Sequence, residues 1–136
     1  MKKIHLLIFL VFPFLMAKSQ TKDSIIQYAV IVKFNSECCG VPNGTPLRKA
    51  VLKFKKKQHL KSIESFKIGP LGREGEYMAA FTLKEMNNKQ KTDFIKMIKA
   101  TIPGMKDKGY AEFEDNYSTP ISSLPSNISI EKVNFK

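Results

Sequence analysis

Two adjacent cysteines, Cys38 and Cys39, are the residues of this chain best suited to redox or metal chemistry. Cysteine thiolates bind soft metals such as Cu(I), and two thiols can also be oxidised to a disulfide. Neighbouring Cα atoms lie about 3.8 Å apart, below the usual ~4.4–6.8 Å of bridged cysteines, so a bond within the pair is expected to be strained. Three interpretations stay open: a structural pair or ring in its loop, a soft-metal or redox site, and pairing between molecules.

His59 is the histidine that a metal or a thiol at this pair would have to recruit, because His5 lies in a predicted leader. The helix predicted from Pro46 to near His59 is about 20 Å long at ~1.5 Å per residue. His59 is therefore expected to lie too far from the cysteines to complete a zinc site or to act as their general base. The sequence predicts no catalytic residues and no enzyme, and no cofactor other than a soft metal at the cysteine pair.

Two further groups of polar residues have a structural and a functional interpretation. The glycine-rich segment 69–75 matches neither a dinucleotide-binding motif nor a P-loop, and it is interpreted as a turn. Arg73 and Glu74 at its tip are candidate contacts for a partner. Glu112 and Glu114 share one face of a predicted strand, where lysines on a neighbouring strand would give ordinary cross-strand pairing.

Hydrophobic periodicity and capping signals predict the elements that position these residues. Thr45 followed by Pro46 indicates the start of a first helix, and the spacing of Asn87 and Gln90 is that of a capping box for a second helix. The predicted strands cover 25–34, 62–68, 76–83 and 110–116, and the predicted helices cover 46–59 and 87–102. The first strand is expected to turn one alternating set towards the core: Ile26, Tyr28, Val30, Val32 and Phe34.

The order β-α-β-β-α-β is typical of the ferredoxin-like, split-βαβ fold of the α+β class. Two right-handed crossovers put both helices on one face of a four-stranded antiparallel sheet. This predicts one domain over 20–116 and an extended C-terminal tail over 117–136, in which 128–135 is a candidate short strand. The other face of the sheet is mixed rather than polar, and its apolar members are candidate partner contacts: Ala29, Ile31, Met78 and Ala80.

The stretch from Tyr28 to Asn116 resembles the propeptide and inhibitor domains of subtilisin-like proteases. The likeness rests on YAVIVKF at the start of the fold, AAFTLKEM before the second helix, and IPGM before the strand YAEFED. In that family the open sheet face packs on the protease and the C-terminal tail enters its active-site cleft. The resemblance implies that Ala29, Ile31, Met78 and Ala80 lie on such a face and that Tyr117–Pro120 begins such a tail.

A second resemblance concerns the cysteine pair. Heavy-metal-associated domains share the β-α-β-β-α-β order and carry a CxxC motif in the loop after the first strand, where this chain has contiguous Cys38 and Cys39. This likeness of fold and location implies a soft-metal site.

The first nineteen residues predict a secretory signal peptide. Lys2 and Lys3 precede an apolar run over 4–16, and Ala17 and Ser19 give a small-residue cleavage site before Gln20. The run is too short to cross a bilayer of ~30 Å as a helix. We therefore expect a secreted or periplasmic protein that is not anchored in the membrane.

The formal net charge is +11, and without the three lysines of the predicted signal peptide it is 20 − 12 = +8. This charge is interpreted either as a solvated basic surface or as a surface for anionic partners. In an exported protein these are lipid headgroups, acidic glycans or an acidic protein surface rather than nucleic acid. The sequence predicts a binding domain with a protein partner in the cell envelope or outside the cell. Its predicted working surfaces are the open sheet face, the 36–45 loop and the 69–76 hairpin. The alternative is a thiol-dependent metal or redox protein, and the oligomeric state stays open.

Overall fold

The computed structural model describes residues 23–135, so the predicted signal peptide lies outside the described residues. The described chain is an α+β fold with two helices and one five-stranded antiparallel sheet, in the strand order β4-β1-β3-β2-β5. Between residues 23 and 135, no helix is long and apolar enough to cross a membrane. The strands are β1 (Ile25–Ser36), β2 (Glu64–Gly69), β3 (Tyr77–Phe81), β4 (Gly109–Pro120) and β5 (Ser129–Asn134). The helices are α1 (Thr45–Lys57) and α2 (Asn88–Thr101), and short 3₁₀ turns cover Ile102–Gly104 and Ile121–Ser123.

The prediction of four strands is wrong, because β5 extends the sheet beyond β2. The two strands pair antiparallel from Glu64 opposite Asn134 to Gly69 opposite Ser129. Side chains reinforce this pairing: the Ser65 hydroxyl donates to the Val133 carbonyl at 2.8 Å, and Lys132 forms an ion pair with Glu64 at 3.0 Å. All six β5 residues are exposed, so the strand carries little of the alternation that marks a half-buried strand in a sequence.

The caps of the two helices match the prediction in one case and differ in the other. Asn87 caps α2, and Asn87 and Gln90 form both hydrogen bonds of the predicted capping box. Thr45 was predicted as the cap of α1, but the cap is Gly44 and Thr45 is already helical. The side-chain oxygen of Asn43 instead accepts a hydrogen bond from the Thr45 N–H at 2.9 Å. One free N–H in the first turn of α1 thus has its partner two residues earlier in the chain.

The main core lies between the sheet and the two helices. Leu47, Val51 and Phe54 of α1 and Phe94 and Ile98 of α2 pack on the same side of the sheet. The rings of Phe54 and Phe94 meet edge to face at 5.2 Å, which places the two helices side by side in one layer. From the sheet, this core takes mainly the side chains of Val30, Val32, Phe34 and Phe81.

A second, smaller core covers the opposite face of the sheet. It consists of Ile31, Ile68, Met78 and Ala80, of which none is more than 2% exposed. Partly buried side chains from other elements pack around it: Ile26, Tyr28, Phe66, Leu71, Tyr117 and Ile128. The face that the sequence predicted as open is therefore shielded by the chain's own residues.

The C-terminal segment contributes to this shielding. β4 ends with Pro120 opposite Ile25, whereas β5 starts with Ser129 opposite Gly69. The connection 121–128 must therefore pass from one edge of the sheet to the other. Ile128 packs against the second core, so the connection crosses on the face away from the helices.

The alternation of side chains in β1 changes face near Ala29. Val30, Val32 and Phe34 face the helices as predicted, but Ile26 and Tyr28 pack against the second core instead. On the paired strand, Asn116 has a φ of 52° and Tyr117 also packs against the second core. Asparagine tolerates this left-handed conformation better than most residues, and one such residue is enough to turn the following side chain to the other face.

Candidate functional site

A concave surface lies on the helix side of the sheet, between the start of α1 and strand β5. It is a groove of about 540 Å³. The strand β5 extends the sheet beyond α1, so part of the floor has no helix above it. We call it the α1–β5 groove. Its lining residues are Phe34, Asn43, Gly44, Thr45, Leu47, Arg48, Ser65, Phe66, Lys67, Tyr77, Ala79, Phe81, Val133, Asn134 and Phe135.

The floor of the groove is apolar and aromatic. The rings of Phe34 and Tyr77 stack with centroids 4.4 Å apart and planes inclined by 8°. At the far end, Phe135 approaches Phe81 with ring centroids 6.2 Å apart, so the chain itself already places one aromatic side chain in this groove. A surface of this kind favours a ligand that brings apolar or aromatic groups.

The charged side chains that line the groove are both cations. Arg48 and Lys67 are exposed at its walls, and no carboxylate lines it. Lys67 Nζ lies 5.0 Å from the centroid of the Tyr77 ring, within the range of a cation–π interaction. Glu131 is the cross-strand neighbour of Lys67, but the two form no ion pair in the described part of the chain. Burial raises the pKa of the Tyr77 phenol, so this hydroxyl stays neutral at physiological pH.

The loop before α1 is held in place by hydrogen bonds from a second loop. The Asn43 N–H donates to Asp107 Oδ1 at 3.0 Å, and this bond is the main reason that the pKa of Asp107 is lowered. Gly44 then passes close to the groove floor, where a Cβ would stand 2.7 Å from the Tyr77 hydroxyl oxygen. A side chain at position 44 would therefore narrow this end of the groove.

The open side of the groove is bordered by a free strand edge. β5 is the last strand of the sheet in the described chain and pairs with β2 along one side. Half of the backbone N–H and C=O groups of such an edge strand point away from the sheet and can pair with another strand. Val133 is 36% exposed on the groove side of β5, and Ile130 is 40% exposed on the other side.

The two cysteines lie outside the groove, at the tip of the loop between β1 and α1. The structure joins Cys38 and Cys39 by a disulfide, and both residues are exposed. Backbone contacts hold the loop, since the Glu37 N–H donates to the Lys108 carbonyl at 3.4 Å. His59 follows the far end of α1, in agreement with the prediction that it cannot join the pair. Within residues 23–135, no three metal-ligating side chains come together.

Arg73 and Glu74 lie exposed in the hairpin between β2 and β3. This hairpin and the cysteine loop are at the same end of the sheet, because Phe34 near the end of β1 pairs with Tyr77 at the start of β3. The hairpin also contributes Leu71 to the second core. Contact of Arg73 and Glu74 with a partner stays a prediction.

The other predicted contact residues are less accessible. Ile31, Met78 and Ala80 belong to the second core and are 0%, 2% and 0% exposed. Ala29 does not share their face and packs against the main core. A partner would reach Ile31, Met78 and Ala80 only after displacing the side chains around them, such as Leu71 and Ile128.

The predicted pairing of the β4 carboxylates with lysines is present for Glu114, whereas Glu112 bonds to an asparagine. Lys33 Nζ lies 2.7 Å from Glu114 Oε2, and the hydrogen bond to Glu114 is the main reason that the pKa of Lys33 is raised. Glu112 accepts a hydrogen bond from the Asn35 side chain at 2.9 Å. These carboxylates thus have structural partners on β1.

Of the groove residues, only Asn43, Gly44 and Thr45 were singled out from the sequence, as part of the predicted 36–45 loop surface. Arg48 and Lys67 belong to different elements, and their proximity depends on the packing of α1 over β2 and β3. Val133 and Phe135 lie in the segment predicted as a tail. The apolar pair Val133 and Phe135, two residues apart at the end of the candidate strand 128–135, was the one signal that this segment has an apolar side.

Comparisons of the chain with protein-family models, with curated proteins and with solved structures found no match.

Proposed function

We propose that this protein is an exported binding domain that holds an extended segment of a partner protein in the α1–β5 groove. The observation that carries the proposal is the coincidence of an aromatic groove with a free strand edge along its open side. As part of the proposal, we assign the fold to the ferredoxin-like group, supported by the order β4-β1-β3-β2, with β5 as an addition.

The strand edge favours a polypeptide over a small molecule. An extended peptide can continue the sheet beyond β5 through main-chain hydrogen bonds, which gives affinity for any sequence. Alternate side chains of that peptide would then point to the helix side, where the stacked rings of Phe34 and Tyr77 form the floor. Recognition of the sequence would come from these side chains.

The charges of the groove favour an acidic partner. Arg48 and Lys67 stand at the walls without a carboxylate between them, in a chain with a formal net charge of +11. Electrostatic complementarity of this kind mainly increases the association rate and excludes basic competitors. The proposed ligand is therefore an extended segment with apolar or aromatic residues next to acidic ones.

The location of the partner rests on the predicted signal peptide. Lys2, Lys3 and the apolar run over 4–16 direct the protein to the cell envelope or outside the cell, where we place the partner. Burial of Ile31, Met78 and Ala80 disfavours inhibitor-like binding of a protease through this sheet face.

A peptide library panned on the purified protein tests this proposal. We expect enriched peptides to combine apolar and acidic residues. Their affinity should fall about tenfold or more in Val133→Glu, equivalent to about 1.4 kcal/mol, because this substitution puts a negative charge at the groove edge. Titration calorimetry measures the dissociation constants.

Ile130→Glu is the matched control, since it makes the same change on the other face of β5 at a similar exposure of 40% against 36% for Val133. It should change the affinity by less than about twofold, because no groove contact is altered. Equal losses in both variants, or no loss in either, would contradict binding in the groove.

A second candidate function is thiol chemistry at Cys38 and Cys39, and the observation in its favour is their exposure as a bonded pair. A dithiol donor would supply two electrons and two protons to break the S–S bond and would itself become a disulfide. The two thiols released could then bind Cu(I) as thiolates.

A thiol count separates the two functions. The redox candidate predicts no reactive thiol before reduction, two after treatment with a dithiol, and retention of Cu(I) by the reduced protein. Cysteines that stay unreactive, together with no retained metal, would eliminate it. Cys38→Ser/Cys39→Ser is the matched variant, and it should leave peptide binding in the groove unchanged because both residues lie outside it.

A further inference from the structure

The charges of this protein are separated between the layers of the fold. α1 carries six cations and no acidic residue, and α2 carries four cations and one acidic residue, Asp93. The sequence contains 12 Asp and Glu residues, and in the described chain all the others lie on strands and connecting segments. The helix layer is therefore strongly basic, although the sheet and its loops contain most of the acidic residues.

The cations of α1 form one continuous stripe. Lys49, Lys53, Lys56 and Lys57 follow one another at helical spacing and are all exposed. Lys49, Lys53 and Lys56 lie opposite the side that buries Leu47, Val51 and Phe54, and Lys57 lies at the flank. The stripe thus lies on the solvent side of α1.

The second helix extends this stripe into a broad surface. α2 lies beside α1, as the contact between Phe54 and Phe94 shows, and it exposes Lys89 and Lys96. Lys99 leans back over the Phe113 ring at 4.5 Å and so belongs to the edge of the layer. Because the two helices lie side by side, their cations are spread over a broad surface and are not gathered in a cleft.

We propose that the helix layer binds the surface of an anionic lipid bilayer. Charge complementarity selects an anionic partner, and the arrangement of the cations over two adjacent helices fits an extended surface better than a single small ion. Nine of the ten cations are lysines, which act as compact point charges and do not impose the bidentate geometry of arginine. The sheet face that carries the second core then lies away from the bilayer.

Vesicle sedimentation with the purified protein tests this surface. We expect binding to vesicles that mix phosphatidylglycerol with phosphatidylcholine, and none to vesicles of phosphatidylcholine alone. Lys53→Gln/Lys56→Gln should lower the partition coefficient about 25-fold, because each lysine near an anionic surface is worth about fivefold. Raising the salt to about 1 M, where the Debye length is ~3 Å, should abolish binding.

Lys33→Gln/Lys132→Gln is the matched control, because it removes the same charge from the sheet side of the molecule. Lys33 pairs with Glu114 and Lys132 with Glu64, so both lie among strand residues. This variant should lower the partition coefficient less than threefold. Equal losses in the two double variants would show that net charge alone drives binding and would overturn the assigned surface.

Three other outcomes would also overturn the proposal. They are equal binding to neutral vesicles, full release of the vesicles by millimolar inorganic phosphate, and tighter binding to duplex DNA than to anionic vesicles at the same salt. The first would indicate insertion of apolar residues, the second a site for free phosphate, and the third a nucleic-acid surface.

Discussion

Phe94→Ala is expected to lower the free energy of unfolding by about 3–5 kcal/mol. The Phe94 side chain is 0% exposed, and its ring meets Phe54 edge to face at 5.2 Å and Phe81 at 5.3 Å. It therefore connects α2, α1 and β3 at the centre of the main core. Removing it leaves a cavity that all three elements line, and urea unfolding followed by circular dichroism measures the loss.

Phe94→Leu is the control for this prediction, because leucine restores part of the lost volume. It should lower the free energy of unfolding by less than half as much as alanine does. A loss below about 1 kcal/mol for Phe94→Ala would mean that α2 does not pack against α1 and the sheet as described. The lysines of α1 and α2 would then have no fixed arrangement relative to one another.

Ile31→Ala is expected to lower the free energy of unfolding by about 2–5 kcal/mol. Ile31 is 0% exposed in the second core, with Met78 and Ala80 beside it on β3. The expected loss depends on the shielding of this face by the chain's own residues, Ile128 among them. The measurement is again urea unfolding, and the slope of the transition should not change.

Ile25→Ala is the matched control, since it is the same substitution in the same strand at a residue that is 58% exposed. It should change the free energy of unfolding by no more than about 0.5 kcal/mol. If Ile31→Ala were as mild as Ile25→Ala, the second face would be open to solvent. The predicted docking of a partner on Ile31, Met78 and Ala80 would then become the better account of binding.

The first four strands and both helices could be predicted, because the sequence signals for each of them are local. Alternating β-branched residues gave β1, and the Asn87 and Gln90 pair gave the start of α2. Hydrophobic periodicity and capping depend on neighbours within a few residues, so a sequence alone contains them.

The fifth strand itself was predicted as the candidate strand 128–135, but its place in the sheet and the shielded face could not be predicted with the same means. β5 is exposed along its length, and its place beside β2 depends on long-range pairing. Ile31, Met78 and Ala80 are apolar and need a cover, which was predicted from the sequence to be a partner. The identity of that cover depends on Leu71 and Ile128, which are distant in sequence from the residues that they shield.

The groove depends on the same long-range pairing of β5 with β2. Without β5, Lys67 and Tyr77 would lie near the edge of a four-stranded sheet, with no wall formed by Val133 and Phe135. The change of face in β1 near Ala29 was missed for a related reason. It accompanies a positive φ at Asn116 of β4, which is a property of the folded pair of strands. Sequence patterns predicted the frame of this protein but not the surfaces that its last strand creates.

Amide shift mapping by nuclear magnetic resonance tests binding in the α1–β5 groove most directly. Isotope-labelled protein is titrated with a library-selected peptide. The account predicts that the largest shifts fall on groove residues, namely Gly44, Lys67, Tyr77 and Val133. Shifts confined to residues 37–40 around the cysteines, to the hairpin 70–76 or to the lysine stripe of α1 would contradict it.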